Sequence, residues 1–287
     1  MNAEILAVGT EILLGDIVNT NAQYISKELA NLGIGVYYQT VVGDNAERLE
    51  DTIKRAFSRA DLIITTGGLG PTKDDLTKET GAKYFGKDLV LDEKALAEIT
   101  VFFKRMNKTM TENNIKQAYV PEGSIVLYNK NGSAPGIIIE ENGKILIMLP
   151  GPPKETIPMF EESVKPYLKD KQEYTLVSRV LRVAGIGESK METLVSDLIE
   201  NGENPTVAPY AKEHEAILRI TAKAHSEKEA EEIIKPVADE IYNRLGDAVY
   251  GEGNTTLVEV VAKLLIDKNM TISTSESCTG GLLVGTL

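Results

Sequence analysis

Residues 61–77, DLIITTGGLGPTKDDLT, constrain the fold more than any other stretch of this 287-residue chain. The apolar run Leu62, Ile63, Ile64 shows no polar alternation, as expected of a strand buried on both faces of a parallel sheet. It continues through Thr65 and Thr66 into Gly67, Gly68 and Gly70, whose lack of a Cβ lets backbone amides approach a ligand closely. Asp74 and Asp75 follow, where the pattern predicts that a helix begins. In an open α/β sheet, ligands bind in the crevice beyond the strand C-termini. A glycine loop with two acids at that place suits a phosphate bridged by a metal ion.

The rest of the first half alternates strand and helix. Strands are expected at Ile5–Val8, Val36–Val42, Ile125–Leu127, Gly136–Glu140 and Ile145–Met148, the last two joined as a hairpin at Asn142-Gly143. Helices are expected at Thr20–Asn31, Asn45–Ala60, from about Asp74 to Tyr84, and at Leu91–Met106, each with apolar residues at helical spacing. This order predicts a doubly wound, mostly parallel sheet with right-handed crossovers over residues 1–168. Polar residues 165–173 read as a linker. A small α+β module follows over 174–250: strand 175–183, helix 189–199, strands 206–210 and 216–224, and a helix from Ser226 to Leu245 opened by a capping-box pattern with Glu229. Residues 251–287 begin something further, with an amphipathic helix at 254–268 and a strand at Met270–Thr274. They end within the pattern of another helix.

Composition excludes several classes. Cys278 is the single cysteine, so there is no disulfide framework and no cysteine-cluster zinc site. With two histidines, His214 and His225, a Ser-His-Asp relay is a poor candidate, and His214 reads as a solvated residue among charged neighbours. A net charge of −12 opposes nucleic acid and anionic membranes. No apolar run reaches the ~20 residues of a membrane span, and the N-terminus reads as a strand rather than a leader. A cytoplasmic protein is the expectation.

Each candidate site residue has a plainer reading beside it. Asp74 or Asp75 could cap a helix, but capping needs one acid. A second beside three glycines would repel a phosphate unless a cation bridged them. The loop is neither a P-loop nor a dinucleotide fingerprint. Gly9, Thr10, Glu11 and then Gly15, Asp16 close the first strand, and Asn19, Thr20, Asn21 precede its helix. Capping explains one of these, and Glu11 and Asp16 remain candidates for metal or hydroxyl contacts. Asp44 either caps the 45–60 helix or shares the site of Asp75. Ser133, Ala134, Pro135, Gly136 and the run Leu149, Pro150, Gly151, Pro152, Pro153, Lys154, Glu155 are rigid turns, or stiff loops holding a ligand with Lys154 on a phosphate. Ser275 to Gly281 resembles a nucleophile turn or a plain glycine turn.

Taken together, AVGTEILLGDIVNTNAQYISKELANLGI (7–34), VVGDN (41–45), TTGGLGPTKDDLT (65–77), SAPG (133–136), LPGPPKE (149–155), GIGES (185–189) and SESCTGG (275–281) resemble the CinA family of competence/damage-inducible proteins over essentially the whole chain. The first domain also resembles the molybdopterin-binding MoaB and Mog proteins, whose loops surround a pterin phosphate; Asp75 and Asp44 are the corresponding acids. The resemblance implies a KH-like middle module and then a nicotinamide-nucleotide amidase domain, of which 251–287 would be the start and Ser277 the proposed nucleophile, without deamidase activity here. It implies a metal-dependent pyrophosphatase acting on ADP-ribose or a similar nucleoside diphosphate sugar. Asp44, Asp74 and Asp75 would then be catalytic and metal-holding, with Mg²⁺ or a similar divalent ion and K⁺ as a further candidate. The ligand would meet Gly9, Thr10, Glu11, Asn19, Asn21, Thr66, Gly67, Gly68, Gly70, Thr72, Ser133, Pro135, Gly136, Pro150, Gly151 and Lys154. The alternative is a pterin- or nucleotide-binding module without chemistry. The module 171–250 carries ten Lys/Arg against fifteen Asp/Glu and no evident G-x-x-G, so nucleic-acid binding is not expected. A homodimer is.

Overall fold

The computed structural model describes residues 1–171, 174–212 and 215–286, with Lys212 described by its backbone; His214 lies outside them. Two compact units divide the chain at 173/174.

In the first unit the order is β1 (Asn2–Val8), α1 (Thr10–Leu13), α2 (Thr20–Asn31), β2 (Gly35–Val42), α3 (Ala46–Ala56), β3 (Leu62–Thr66), α4 (Thr77–Tyr84), β4 (Leu89–Leu91), α5 (Glu93–Arg105), β5 (Tyr119–Pro121), β6 (Ile125–Leu127), β7 (Gly136–Glu141), β8 (Lys144–Leu149), α6 (Pro153–Met159) and α7 (Lys165–Lys169). The main sheet has the order β2-β1-β3-β8-β7-β6. β1, β2, β3 and β8 run parallel, and β7 and β6 are antiparallel. Alternate residues of one strand serve two cores. Leu62 and Ile64 join Ile5, Ile147, α2 and Phe160 on one face, while Ile63 joins Leu6, Leu146 and α3 on the other. That two-sided burial is why these strands read as unbroken apolar runs. The hairpin forms as expected, with Asn142 and Gly143 both at positive φ (53° and 74°), as a two-residue turn of the right hand requires.

Two expectations for this unit are corrected. The segment 165–169 is helix α7 rather than linker. Val164 and Leu168, one helical turn apart, are both fully buried, and Lys165 bonds Glu28 at 2.6 Å and Glu161 at 3.0 Å. Nor does a helix begin at Asp74. The Thr77 amide bonds Gly68 O at 3.1 Å and the Thr77 hydroxyl donates to Gly67 O at 2.9 Å. These bonds fold the glycine loop back on the residue that opens α4, so 69–76 must loop out.

The second unit runs β9 (Thr175–Val183), α8 (Glu188–Leu194), α9 (Ser196–Glu200), β10 (Thr206–Lys212), β11 (Glu215–Ala224), α10 (Glu227–Leu245), β12 (Val249–Glu252), α11 (Leu257–Asp267) and α12 (Leu282–Thr286). Its sheet, β10-β11-β9-β12, is antiparallel throughout. α10 covers it with Ala230, Ile234, Ala238 and Ile241, in a core separate from the first unit's. Ser226 caps α10 by accepting from the Glu229 amide. The Glu229 carboxylate reaches the His225 amide instead of closing the box. Residues 270–274 form no strand: a lone extended segment with no sheet edge beside it has nothing to pair with.

Candidate active site

Four parallel strands end at one rim, and their loops enclose a cavity of about 580 Å³. Val8 and Gly9 come from the end of β1, Asp44 from β2, Thr66 to Thr72 with Asp74 and Asp75 from β3, and Pro150 to Pro153 with Glu155 from β8. Asp44 and Asp75 therefore face one space although they lie on loops separated in sequence. Glu11, Asn19, Asn21, Asp74, Thr72 and Ser133 line it too. Thr10, Pro135, Gly136 and Lys154 do not. Thr10 works through Asp44, Pro135 and Gly136 are packed behind the wall, and Lys154 is exposed. Ser277, far along the chain, is exposed, and its hydroxyl has Cys278 Sγ at 3.7 Å as its polar contact.

The glycine loop spends its carbonyls on the protein. Gly67 O accepts from Thr77, Gly68 O from the Thr77 amide, and Leu69 O from Gln117 Nε2 at 3.3 Å. Gly67 N–H is also taken, by Leu149 O at 3.0 Å, which removes it from the amides expected to hold a phosphate. The amides of Gly68, Leu69 and Gly70 have no acceptor among the described residues. Three consecutive free N–H groups on a cavity wall make an anion-binding concavity. Gly67 and Gly68 sit at φ +99° and +68°, and a Cβ on either would lie 2.1 Å from Val8 O or Thr77 Oγ1. The loop path is open to glycine alone.

The acids are held by threonines. Asp44 Oδ2 accepts from the Thr10 amide at 3.0 Å and hydroxyl at 2.8 Å. Asp75 Oδ2 accepts from the Thr72 amide at 2.9 Å and hydroxyl at 2.6 Å. Behind the loop, Lys116 Nζ donates to Thr72 O at 3.1 Å and Asp75 O at 2.5 Å. Lys116 sits in the short 3-10 helix before β5 and carries no local pattern that points to its role; neither do Gln117 or the apolar wall of Ile12, Ile17 and Val18. Asn19 caps α2 through Ala22 N. Asn21 ties the first loop to the last by donating to Gly151 O at 2.6 Å. Its own Oδ1 is buried without a partner.

Among the described residues five carboxylates line the cavity (Glu11, Asp44, Asp74, Asp75 and Glu155) and no Lys, Arg or His does. A phosphate drawn by the free amides would be repelled by this charge unless a cation lay between. Among the described residues no three His, Cys, Asp or Glu side chains group as a metal cage. The expected trio Asp44, Asp74 and Asp75 is thus not one closed ligand set. The donors fit a Mg²⁺-type ion, which takes one or two carboxylates and completes its shell with water and phosphate oxygens.

Comparison with known proteins agrees with this architecture. Residues 4–170 match the family described as "Probable molybdopterin binding domain" and 178–251 that described as "Damage-inducible protein CinA KH domain". A "Putative competence-damage inducible protein" of Clostridium perfringens is 62% identical over 100% of this chain and 70% of its own length. A "CinA-like protein" of Dictyoglomus turgidum is 62% identical over 99% of this chain and 69% of its own. In a crystal structure, "the protein CinA with unknown function from Thermoplasma acidophilum" is 38% identical, with a TM-score of 0.54 over 58% of this chain and 98% of that one. No described helix is long and apolar enough to cross a membrane. The chain belongs to the CinA family, with a MoaB/Mog-like α/β domain followed by a CinA KH domain.

Proposed function

We propose that the first domain binds a nucleotide- or pterin-type phosphate in this cavity and hydrolyses the pyrophosphate of ADP-ribose or a similar nucleoside diphosphate sugar. The observation that carries the reading is that three free amides, Gly68 to Gly70, line one cavity together with Asp44 and Asp75. The amides hold one phosphate through N–H donors. Asp44 and Asp75, each fixed through one oxygen by its threonine, keep the other oxygen open towards a divalent cation. Bound there, Mg²⁺ would supply charge neutralisation for the diphosphate. The apolar wall of Ile12, Ile17 and Val18 gives the ring system of the ligand an unhydrated face.

The test is release of AMP from ADP-ribose by the purified chain with Mg²⁺, followed by chromatography. Turnover that disappears in Asp75→Ala supports the reading. No AMP above background, or full activity in that variant, overturns it. Tight binding without turnover moves the chain to a binding module.

A further inference from the structure

Glu155 is a carboxyl side chain of the cavity wall for which the binding of phosphate and cation leaves no role. It lies in the first turn of α6, just after Pro152 and Pro153, which fix where the helix starts. Asn129 Nδ2 donates to its Oε2 at 2.8 Å and also to Ala134 O at 2.9 Å. Gly132 passes so close that a Cβ there would lie 1.9 Å from Oε2. The carboxylate is thus oriented by one oxygen, while Oε1 has no protein partner and is not sealed from solvent. The other cavity carboxylates are not built this way: Asp44 and Asp75 are held by threonine hydroxyls, and Glu11 and Asp74 are exposed.

From this geometry we infer that Glu155 is the general base of the proposed hydrolysis, taking the proton of the attacking water on Oε1. The inference rests on the hydrolase reading above and adds to it the residue that activates water. Water oxygen bonds to one phosphorus of the diphosphate, and its proton passes to Glu155 Oε1. The bond from that phosphorus to the bridging oxygen breaks, and the electron pair leaves on that oxygen as part of the second phosphomonoester. Burial pushes the Glu155 carboxyl above its ordinary range, with Asn129 and Lys154 opposing. A raised carboxyl is a stronger base at neutral pH. The other charged groups about it are Lys154 on its own helix, the four cavity acids Glu11, Asp44, Asp74 and Asp75, and Lys130, which is already paired with Glu162 at 2.6 Å.

The test compares wild type, Glu155→Gln and Glu155→Asp on ADP-ribose across pH 4.5–8.5 and across Mg²⁺ concentrations, with melting temperatures recorded. Glu155→Gln keeps the acceptor for Asn129, and it is expected to fold, to keep KM and the Mg²⁺ requirement, and to lose ~10²-fold or more in kcat. The acidic limb of the wild-type pH profile should vanish from its residual activity, and Glu155→Asp should retain an acidic limb at lower kcat. An active wild type with Glu155→Gln within about threefold of it overturns the assignment alone. So does a variant whose kcat returns at high Mg²⁺, which would make Glu155 a metal ligand. A wild type that releases no AMP overturns the hydrolase reading itself and this assignment with it.

Discussion

Thr72 and Asp75 hold one another twice, the Asp75 Oδ2 accepting from both the amide and the hydroxyl of Thr72. Thr10 and Asp44 repeat the arrangement on another loop of the cavity. In each pair one carboxylate oxygen is fully committed, so the direction of the other is fixed by the loop and not by a flexible side chain. Both acids are thereby presented before any ligand arrives, and little ordering remains to be done on binding.

Thr72→Val tests that presentation, because it keeps the shape and the amide bond and removes the hydroxyl. A lost hydrogen bond to a charged acceptor is worth about 1.5–3 kcal/mol where it is sheltered and less at an exposed rim such as this. Affinity for ADP-ribose with Mg²⁺ should fall about five- to tenfold while the melting temperature moves little. Calorimetric titration reads both arms when Thr72→Ser is run beside it, since serine keeps the donor. Unchanged affinity in Thr72→Val would show that the hydroxyl does not orient Asp75.

Gly67 and Gly68 predict a contrast within one site. Alanine at either must adopt a positive φ and place its Cβ 2.1 Å from Val8 O or Thr77 Oγ1. The contact at Gly67 is to backbone, which cannot step aside. Gly67→Ala should cost more than about 2 kcal/mol and Gly68→Ala somewhat less. At Gly151 a Cβ meets Gly67 Cα at 3.6 Å, an ordinary contact. Gly151→Ala should therefore melt close to wild type. Urea unfolding of the three variants would refute the account if their order were reversed.

Lys78 makes the first unit's stability depend on alkaline pH. Burial pushes its ammonium down to about 8, with Glu79 opposing and Lys116 adding to the drop. In the unfolded chain it titrates near 10.4. Between those values the unfolded chain binds the extra proton, so stability rises with pH; below about 8 the fold carries the full cost of the buried charge. Lys78→Met removes the group. The wild type should gain up to ~3 kcal/mol on this variant between pH 8 and 10.4, since each pKa unit is worth about 1.4 kcal/mol. The carbonyl of Lys116, which accepts from Lys78 at 2.5 Å, loses its donor in the variant at every pH and shifts the baseline without altering the slope. A difference that stays flat over that window would show that the ammonium is not held in a low-dielectric place.

The sheet was legible because its inner parallel strands β1, β3 and β8 are buried on both faces, and the site because glycines and acids collect where those strands end. Asp44 and Asp75 could be assigned to one rim from topology alone. What could not be read depends on contacts distant in sequence. Lys116 reaches back 41 residues to the Asp75 carbonyl, and nothing in its own neighbourhood announces that. Residues 165–171 look like a linker by composition because five of their side chains face water or acids, and only Tyr167 and Leu168 report the core. α4 starts late because Thr77 spends its amide and hydroxyl on the glycine loop, a choice set by the ligand wall and not by helix propensity. β12 was missed because a four-residue edge strand carries too little pattern, its partner Val183 lying more than sixty residues upstream.

The two units have separate cores, one around the mixed sheet and one under α10, and every residue lining the cavity lies before position 156. The Thermoplasma acidophilum CinA chain is matched over 98% of its length by 58% of this one, so a chain of about the first unit's size exists as a folded protein by itself. A fragment of residues 1–171 keeps Leu168 and the Lys171–Glu140 pair at 2.6 Å, which close the first core against α7. It should fold, melt in one cooperative transition, and bind ADP-ribose with Mg²⁺ within about threefold of the full chain. A fragment ending at residue 160 deletes Val164 and Leu168, both fully buried. Losing two such side chains removes several kcal/mol of apolar burial, so it should melt well below the longer fragment or fail to fold. If residues 1–171 fold but bind no ligand, the second unit completes the site and the assignment of the cavity to the first domain alone is wrong.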